Sequence, residues 1–156
     1  MSAPQPAPTV RVQAEDFDAA REEALLLEGR RDVGALVAFT GLCRDEDGAL
    51  AALELEHYPG MAEAEIARVA AEALARWPLL GLTIVHRFGT IKPGERIVLV
   101  LAAARSRRDA FAAAEFLMDY LKTRAPFWKK ERRADAAPGE WVAAKTEDDA
   151  AAERWR

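Results

Sequence analysis

Residues 82–104 read LTIVHRFGTIKPGERIVLVLAAA, two apolar runs on either side of Lys92-Pro93-Gly94-Glu95. Pro presets the backbone for the second position of a turn and Gly supplies the freedom for the third, so 82–88 and 96–103 are expected to be strands joined as a hairpin. Working outward, Leu53, Leu55 and His57 alternate with Ala52, Glu54 and Glu56, the two-residue period of a strand with one wet face. The run GALVAFTG at 34–41 lies between glycines and reads as a buried strand. Helical spacing appears in three places. Asp16 caps a first helix with a Phe17, Ala20, Ala24, Leu27 stripe that stops at Gly29. Ile66, Val69, Ala70, Ala73, Leu74 and Trp77 define a second, ended by Pro78. Asp109 caps a third, which runs to about Lys122 with Phe111, Ala114, Met118 and Leu121 inward. Pro126 forces an extended exit, and 127–132 and 141–145 follow as strands on either side of a mobile 134–139 segment. Mixed order with hairpins argues for an α+β fold rather than a purely parallel sheet.

The chain has 156 residues, 51% hydrophobic and 31% charged, which suits one domain over 10–156 behind a proline-containing flexible lead at 1–9. One cysteine, Cys43, excludes an internal disulfide, and with only His57 and His86 beside it a zinc site of the all-Cys or Cys/His kind is not available. The longest apolar run, 97–104, is far short of the roughly 20 residues of a spanning helix. A reducing, cytoplasmic setting, with no membrane association, is the expectation.

The net charge of -4 is too mild to signal nucleic-acid binding. Its distribution says more. Between Arg105 and Arg133 nine basic residues stand against four acidic ones, a local balance of +5 that leaves about -9 for the remainder. Such a concentration suits an anion, although a solvated face would have the same composition. Lys122 at a helix end and Lys129 just past Pro126 are candidates for a common pocket. An amine set among other cations loses its proton more readily and then serves in proton transfer or nucleophilic attack.

Four stretches carry a resemblance: GALVAFTGLCR (34–44), LELEHYPGM (53–61), HRFGTIKPGE (86–95) and FLMDYLKTRAPFWKKE (116–131). Through them the chain resembles the large, catalytic subunits of molybdopterin synthase, from about residue 10 to 155. The resemblance implies an α/β hammerhead fold with an extra small antiparallel sheet. It also implies a sulfurtransferase of molybdenum cofactor biosynthesis that converts cyclic pyranopterin monophosphate to molybdopterin. Sulfur would come from the C-terminal Gly-Gly thiocarboxylate of a small ubiquitin-like subunit. A homodimer core would carry one small subunit at each end, a heterotetramer with no metal or organic cofactor of its own.

Residue by residue, the resemblance puts the two active-site lysines on Lys122 and Lys129 and a pocket arginine on Arg44. Arg107 aligns with the arginine expected to hold the substrate phosphate, flanked by Ser106 and Arg108. Family members often have histidine where Ser106 stands, and serine can donate a hydrogen bond but cannot titrate near neutrality, so phosphate binding is the expected role of this stretch. Phe39 and Met118 read as core residues by pattern, yet align near the pocket wall, where with Lys130 they would shape the tunnel for the tail. Arg132 and Arg133 are candidates for contact with a neighbouring subunit's substrate.

Cys43 invites a persulfide but reads better as a small buried apolar residue. His57 and His86 alternate with aliphatic neighbours and read as hydrogen-bonded structural histidines, outside the site. Two rival functions remain to be weighed. Phe127, Trp128 and Trp141 interleave with Lys129, Lys130, Arg132 and Arg133, a pattern that also describes a stacking surface for single-stranded nucleic acid. The other rival is a non-catalytic docking subunit.

Overall fold

The computed structural model describes residues 5–45, 48–133, 141–142 and 146–156. The chain runs β1 (Thr9–Gln13), α1 (Ala19–Leu27), β2 (Ala35–Leu42), β3 (Leu50–His57), α2 (Met61–Arg76), β4 (Leu79–Arg87), β5 (Gly89–Ile91), β6 (Arg96–Ala104), α3 (Arg107–Arg124), β7 (Phe127–Arg133), β8 (Trp141–Val142) and α4 (Thr146–Glu153). Two four-stranded sheets form, ordered β1-β4-β6-β2 and β5-β3-β7-β8. In the first, β1 lies parallel to β4 and the other pairs are antiparallel. The second is antiparallel throughout. This is the α+β arrangement with an added small antiparallel sheet that the sequence suggests.

The expected hairpin is present, with Ile84 opposite Val100. Its turn closes through Glu95 N–H donating to the Lys92 carbonyl at 3.0 Å, with Gly94 at φ +88°, the position of a type II turn that a side chain would strain. The loop is longer than a simple hairpin, because β5 departs from it to become the edge of the second sheet.

The unbroken apolar runs of β4 and β6 follow from the sheet being covered on both faces. Leu82, Ile84, Val98, Val100 and Ala102 pack against Ile66, Val69 and Ala73 of α2 and Phe116 and Leu117 of α3. Val85, Leu99 and Leu101 point the other way, onto Phe17 and Leu26. At the C-terminus, Trp155 meets Trp77 and Phe116 edge-on at 5.7 Å in each case, which fastens the segment after α4 against α3.

Several expectations need correction. Asp18, not Asp16, caps α1 by accepting the Arg21 N–H, while the Asp16 carboxylate takes the Phe17 N–H and the Arg96 guanidinium. Ala20 and Ala24 are exposed, and the helix turns Ala19 and Leu26 inward instead, with Glu22 buried in an ion pair to Arg11. Ser106, not Asp109, caps α3. Phe111 is 62% exposed and lies off the inward stripe, which runs through Ala110, Ala113, Ala114, Leu117 and Leu121. The glycine-bounded run forms β2 but is not a buried strand: it is the sheet edge, and Phe39 and Leu42 are exposed on it. β1, β5 and α4 carry too few periodic apolar residues to be legible beforehand. Thr9, assigned to the lead, begins β1. Residues 1–4, 134–140 and 143–145 lie outside the described ones, as do Glu46 and Asp47 of the turn before β3.

Candidate active site

Pro126 disfavours helical geometry at Ala125, which closes α3 in an extended conformation (φ -65°, ψ 129°) before β7 begins at Phe127. The chain passes from the last turn of α3 through this extended link directly into β7. Lys122 from the helix and Lys129 from the strand thereby line one pocket of about 100 Å3. Phe39, Leu42, Val98, Met118, Leu121 and Phe127 form much of its wall. Lys122 is exposed at its rim and Lys129 is half-buried. Phe39 and Met118, core residues by pattern, thus face the pocket, and Met118 is also packed against the main core.

His86, kept off the site by the sequence reading, lines this same pocket. It is 8% exposed. Its Nδ1 lies 2.8 Å from the Arg87 carbonyl, and its ring stacks on Phe127 at 3.9 Å. A carbonyl only accepts, so Nδ1 carries the hydrogen and donates it. The structural hydrogen bond is therefore present, together with a place in the pocket. The alternation Leu82, Ile84, His86 gives the histidine its inward face on β4, and only the tertiary neighbours turn that position into pocket lining.

Burial pushes the His86 imidazole down to about 4, and the positive charge of Lys129, His57 and Lys122 acts in the same direction against the Arg87 hydrogen bond. An unfolded chain takes up this proton near 6.5, the ordinary value. Between those two pH values the unfolded state binds the extra proton, so stability is lost as pH falls, by up to about 1.4 kcal/mol per pH unit from this group. Above 6.5 the group contributes no slope. Chemical denaturation from pH 7 down to 4.5 is expected to show a steeper decline for the native chain than for His86→Gln.

A second pocket, of about 650 Å3, is lined by Gly34, Arg105, Ser106, Arg107, Arg108 and Phe111. It shares no lining residue with the first. The Ser106 hydroxyl donates to the Asp109 carboxylate at 3.0 Å and accepts the Asp109 N–H at 3.3 Å. Its hydrogen is thus engaged in the helix cap, which leaves the arginines as the cationic donors toward an anion. Gly34 is required here, since a Cβ would lie 2.1 Å from the Arg105 carbonyl oxygen.

The other sequence candidates fall elsewhere. Arg44 is exposed two residues beyond Leu42 and lines neither pocket. Lys130 is opposite Glu54, on the sheet face away from Lys129, and on that face Arg132 pairs with Glu54. Arg133 is exposed at the end of β7. Cys43 is 3% exposed, and burial, with the negative charge of Glu95, Asp45 and Glu131, raises its thiol. That is the environment of an inert packing residue. His57 is half-buried, its ring 4.3 Å from Phe88. Phe127 lies under His86 while Trp128 meets Tyr58 on the other face, so these aromatics do not form one stacking platform.

The α+β domain thus sets two lysines in one pocket lined mostly by apolar side chains and three arginines along a second, open one, two cationic sites suited to anionic groups. The family model for "MoaE protein" matches residues 12–124, and the chain belongs to the MoaE family. Its sequence is 68% identical over 150 residues to the molybdopterin synthase catalytic subunit of Mesorhizobium japonicum, covering 96% of this chain and 94% of that one. The molybdopterin biosynthesis MoaE protein from Burkholderia ambifaria superposes with a TM-score of 0.82 at 50% identity, covering 95% and 97%. A complex of subunits 1 and 2 of the molybdopterin-converting factor from Helicobacter pylori shares the fold, with a TM-score of 0.66 at 21% identity over 88% and 90%. The chain is accordingly an enzyme of molybdenum cofactor biosynthesis, in the class of molybdopterin synthase catalytic subunits. Relatives so similar over nearly the full length support this reading over a nucleic-acid module or a docking protein. Among the described residues no helix is long and apolar enough to cross a membrane.

Proposed function

We propose that the chain moves sulfur from the C-terminal thiocarboxylate of a small ubiquitin-like partner to cyclic pyranopterin monophosphate, building the dithiolene of molybdopterin. The observation that carries this reading is the convergence of Lys122 and Lys129, from separate elements, on one apolar pocket. A peptide end bearing negative charge enters such a pocket only where cations meet it. In this reading Lys122 is the principal acid/base or nucleophilic amine, and Lys129 assists and positions the tail. Phe39 and Met118 shape the tunnel. Arg107 and Arg108 hold the substrate phosphate, helped by Arg105, while Ser106 orders the helix start that presents them. Arg44 meets an anionic group arriving at the pocket from outside. Lys130, on the opposite sheet face, is assigned to the body of the partner rather than its tail, and Arg132 and Arg133 to a neighbouring subunit.

The assembly proposed is a homodimer with a small subunit at each end, working in the cytoplasm. The names of the relatives, one a catalytic subunit and one a complex of two subunits, support a multi-subunit enzyme. Each tail delivers one sulfur and the product needs two, so the donor is replaced during turnover and a half-sulfurated intermediate is held between. Mixing the protein with thiocarboxylated small subunit and the cyclic pterin phosphate, then quenching rapidly, is expected to yield dithiolene preceded by a one-sulfur species. Absence of dithiolene formation would overturn the reading, and product without the intermediate would overturn the stepwise order.

A further inference from the structure

We propose that His86 is a positioning residue, its Nε2 accepting a hydrogen bond from a backbone N–H of the peptide tail that enters the lysine pocket. The inference rests on the sulfur-transfer reading above. A peptide tail has two needs on leaving water. Its charged end requires cations, and its backbone N–H groups require acceptors, because each one buried without a partner bears its full desolvation penalty. The lysines answer the first need as ammonium groups, and in that form they only donate. Almost every other lining side chain is aliphatic or aromatic, and the Met118 thioether is a weak acceptor. Among the described residues that line the pocket, His86 is the one side chain with a strong acceptor atom.

The geometry holds that acceptor in place. Nδ1 is committed to the Arg87 carbonyl at 2.8 Å, so the lone pair is at Nε2, for which the described residues supply no hydrogen-bond partner. Nε2 is also not among the buried atoms left unsatisfied, a group limited to the Arg11 Nε among the described residues, so it keeps some exposure on a residue that lines the pocket. The ring lies nearly parallel to Phe127, at 14°. Arg87 is itself pinned, its guanidinium donating to the carbonyls of Ala14 and Arg96. Burial, with Lys129, Lys122 and His57 around it, keeps the imidazole neutral at pH 7 and therefore able to accept.

Asparagine and glutamine separate the two nitrogens. His86→Asn keeps a donor near Nδ1 for the Arg87 carbonyl and removes the acceptor, whereas His86→Gln puts an oxygen or amide near Nε2 and gives up the Arg87 bond. The full-length protein and both variants are titrated with a synthetic peptide ending in a Gly-Gly carboxylate, with melting temperatures measured alongside. The Asn variant is expected to bind about tenfold more weakly, the size of one lost hydrogen bond to a buried group, and the Gln variant to recover most of that loss. In turnover the Asn variant raises KM for the partner with kcat nearly unchanged. A purely structural histidine predicts the reverse order, with Gln the worse, and that result, or equal binding by all three proteins, overturns the proposal. If the native chain converts the pterin while the three bind alike, only the His86 role fails. If it neither binds the peptide nor converts the pterin, the sulfur-transfer reading fails with it.

Discussion

Lys122→Ala is expected to slow dithiolene formation by at least about 10²-fold, the range over which a positioned proton-transfer or nucleophilic group acts. The side chain is exposed in the last turn of α3, where it supports no core packing. Melting temperature should therefore stay close to that of the native protein. Affinity for the small subunit should change little, since a broad interface survives the loss of one amine away from its centre. Lys122→Arg separates charge from chemistry. A guanidinium retains the positive end of the pocket but does not give up its proton, so the Arg variant should bind the partner and remain slow. Conversion within threefold of the native rate in Lys122→Ala would return the chain to the docking-subunit reading.

Gly34→Ala is expected to cost about 3 kcal/mol and to abolish anion binding at the arginine pocket. A Cβ at this position would stand 2.1 Å from the Arg105 carbonyl oxygen and 3.1 Å from its carbon. These are backbone atoms, with no rotamer to relieve the clash, which places the cost at the upper end of the usual 1–3 kcal/mol for overpacking. The same approach is cemented by the Gly34 N–H donating to the Ala104 carbonyl at 3.0 Å. Relief must therefore separate the start of β2 from the 105–108 segment, which carries all three arginines of the pocket. For a chain of this size the melting temperature should fall by roughly 6–12 °C. Inorganic phosphate, titrated by calorimetry, should lose its affinity while the Gly-Gly peptide still binds at the lysine pocket. An alanine variant as stable as the native chain, with unchanged phosphate affinity, would show that the contact is not needed.

Much of the fold was legible because its signals are local. Pro93-Gly94 set a turn, Pro78 and Pro126 ended helices, and the periods of α2 and β3 reported their buried faces directly. What escaped was decided by tertiary neighbours. A glycine-bounded apolar run looks like an interior strand, but among the described residues β2 has only β6 beside it and so exposes Phe39 and Leu42. Ser106 and Asp109 are both good capping types, and the choice fell to the residue whose backbone leaves the strand extended, at φ -116° and ψ 146°. In the site, Lys122 and Lys129 could be paired from the Pro126 reversal between them. His86 could be placed on an inward face, but no periodicity says which inward positions meet a pocket instead of a core. The 105–108 stretch was marked by its charge and by the resemblance, but the role of Gly34 in holding it lies 71 residues away from Arg105 in the chain.

The convergence of two amines on one tail-binding pocket is most directly tested by amine labelling of the full-length protein, read by mass spectrometry at Lys122, Lys129 and Lys130 with and without the thiocarboxylated partner. Lys122 and Lys129 should be protected together, with the same dependence on partner concentration, and Lys130 should respond separately because it lies on the other sheet face. Protection of one pocket lysine without the other, or of neither while the partner is bound, would contradict the account.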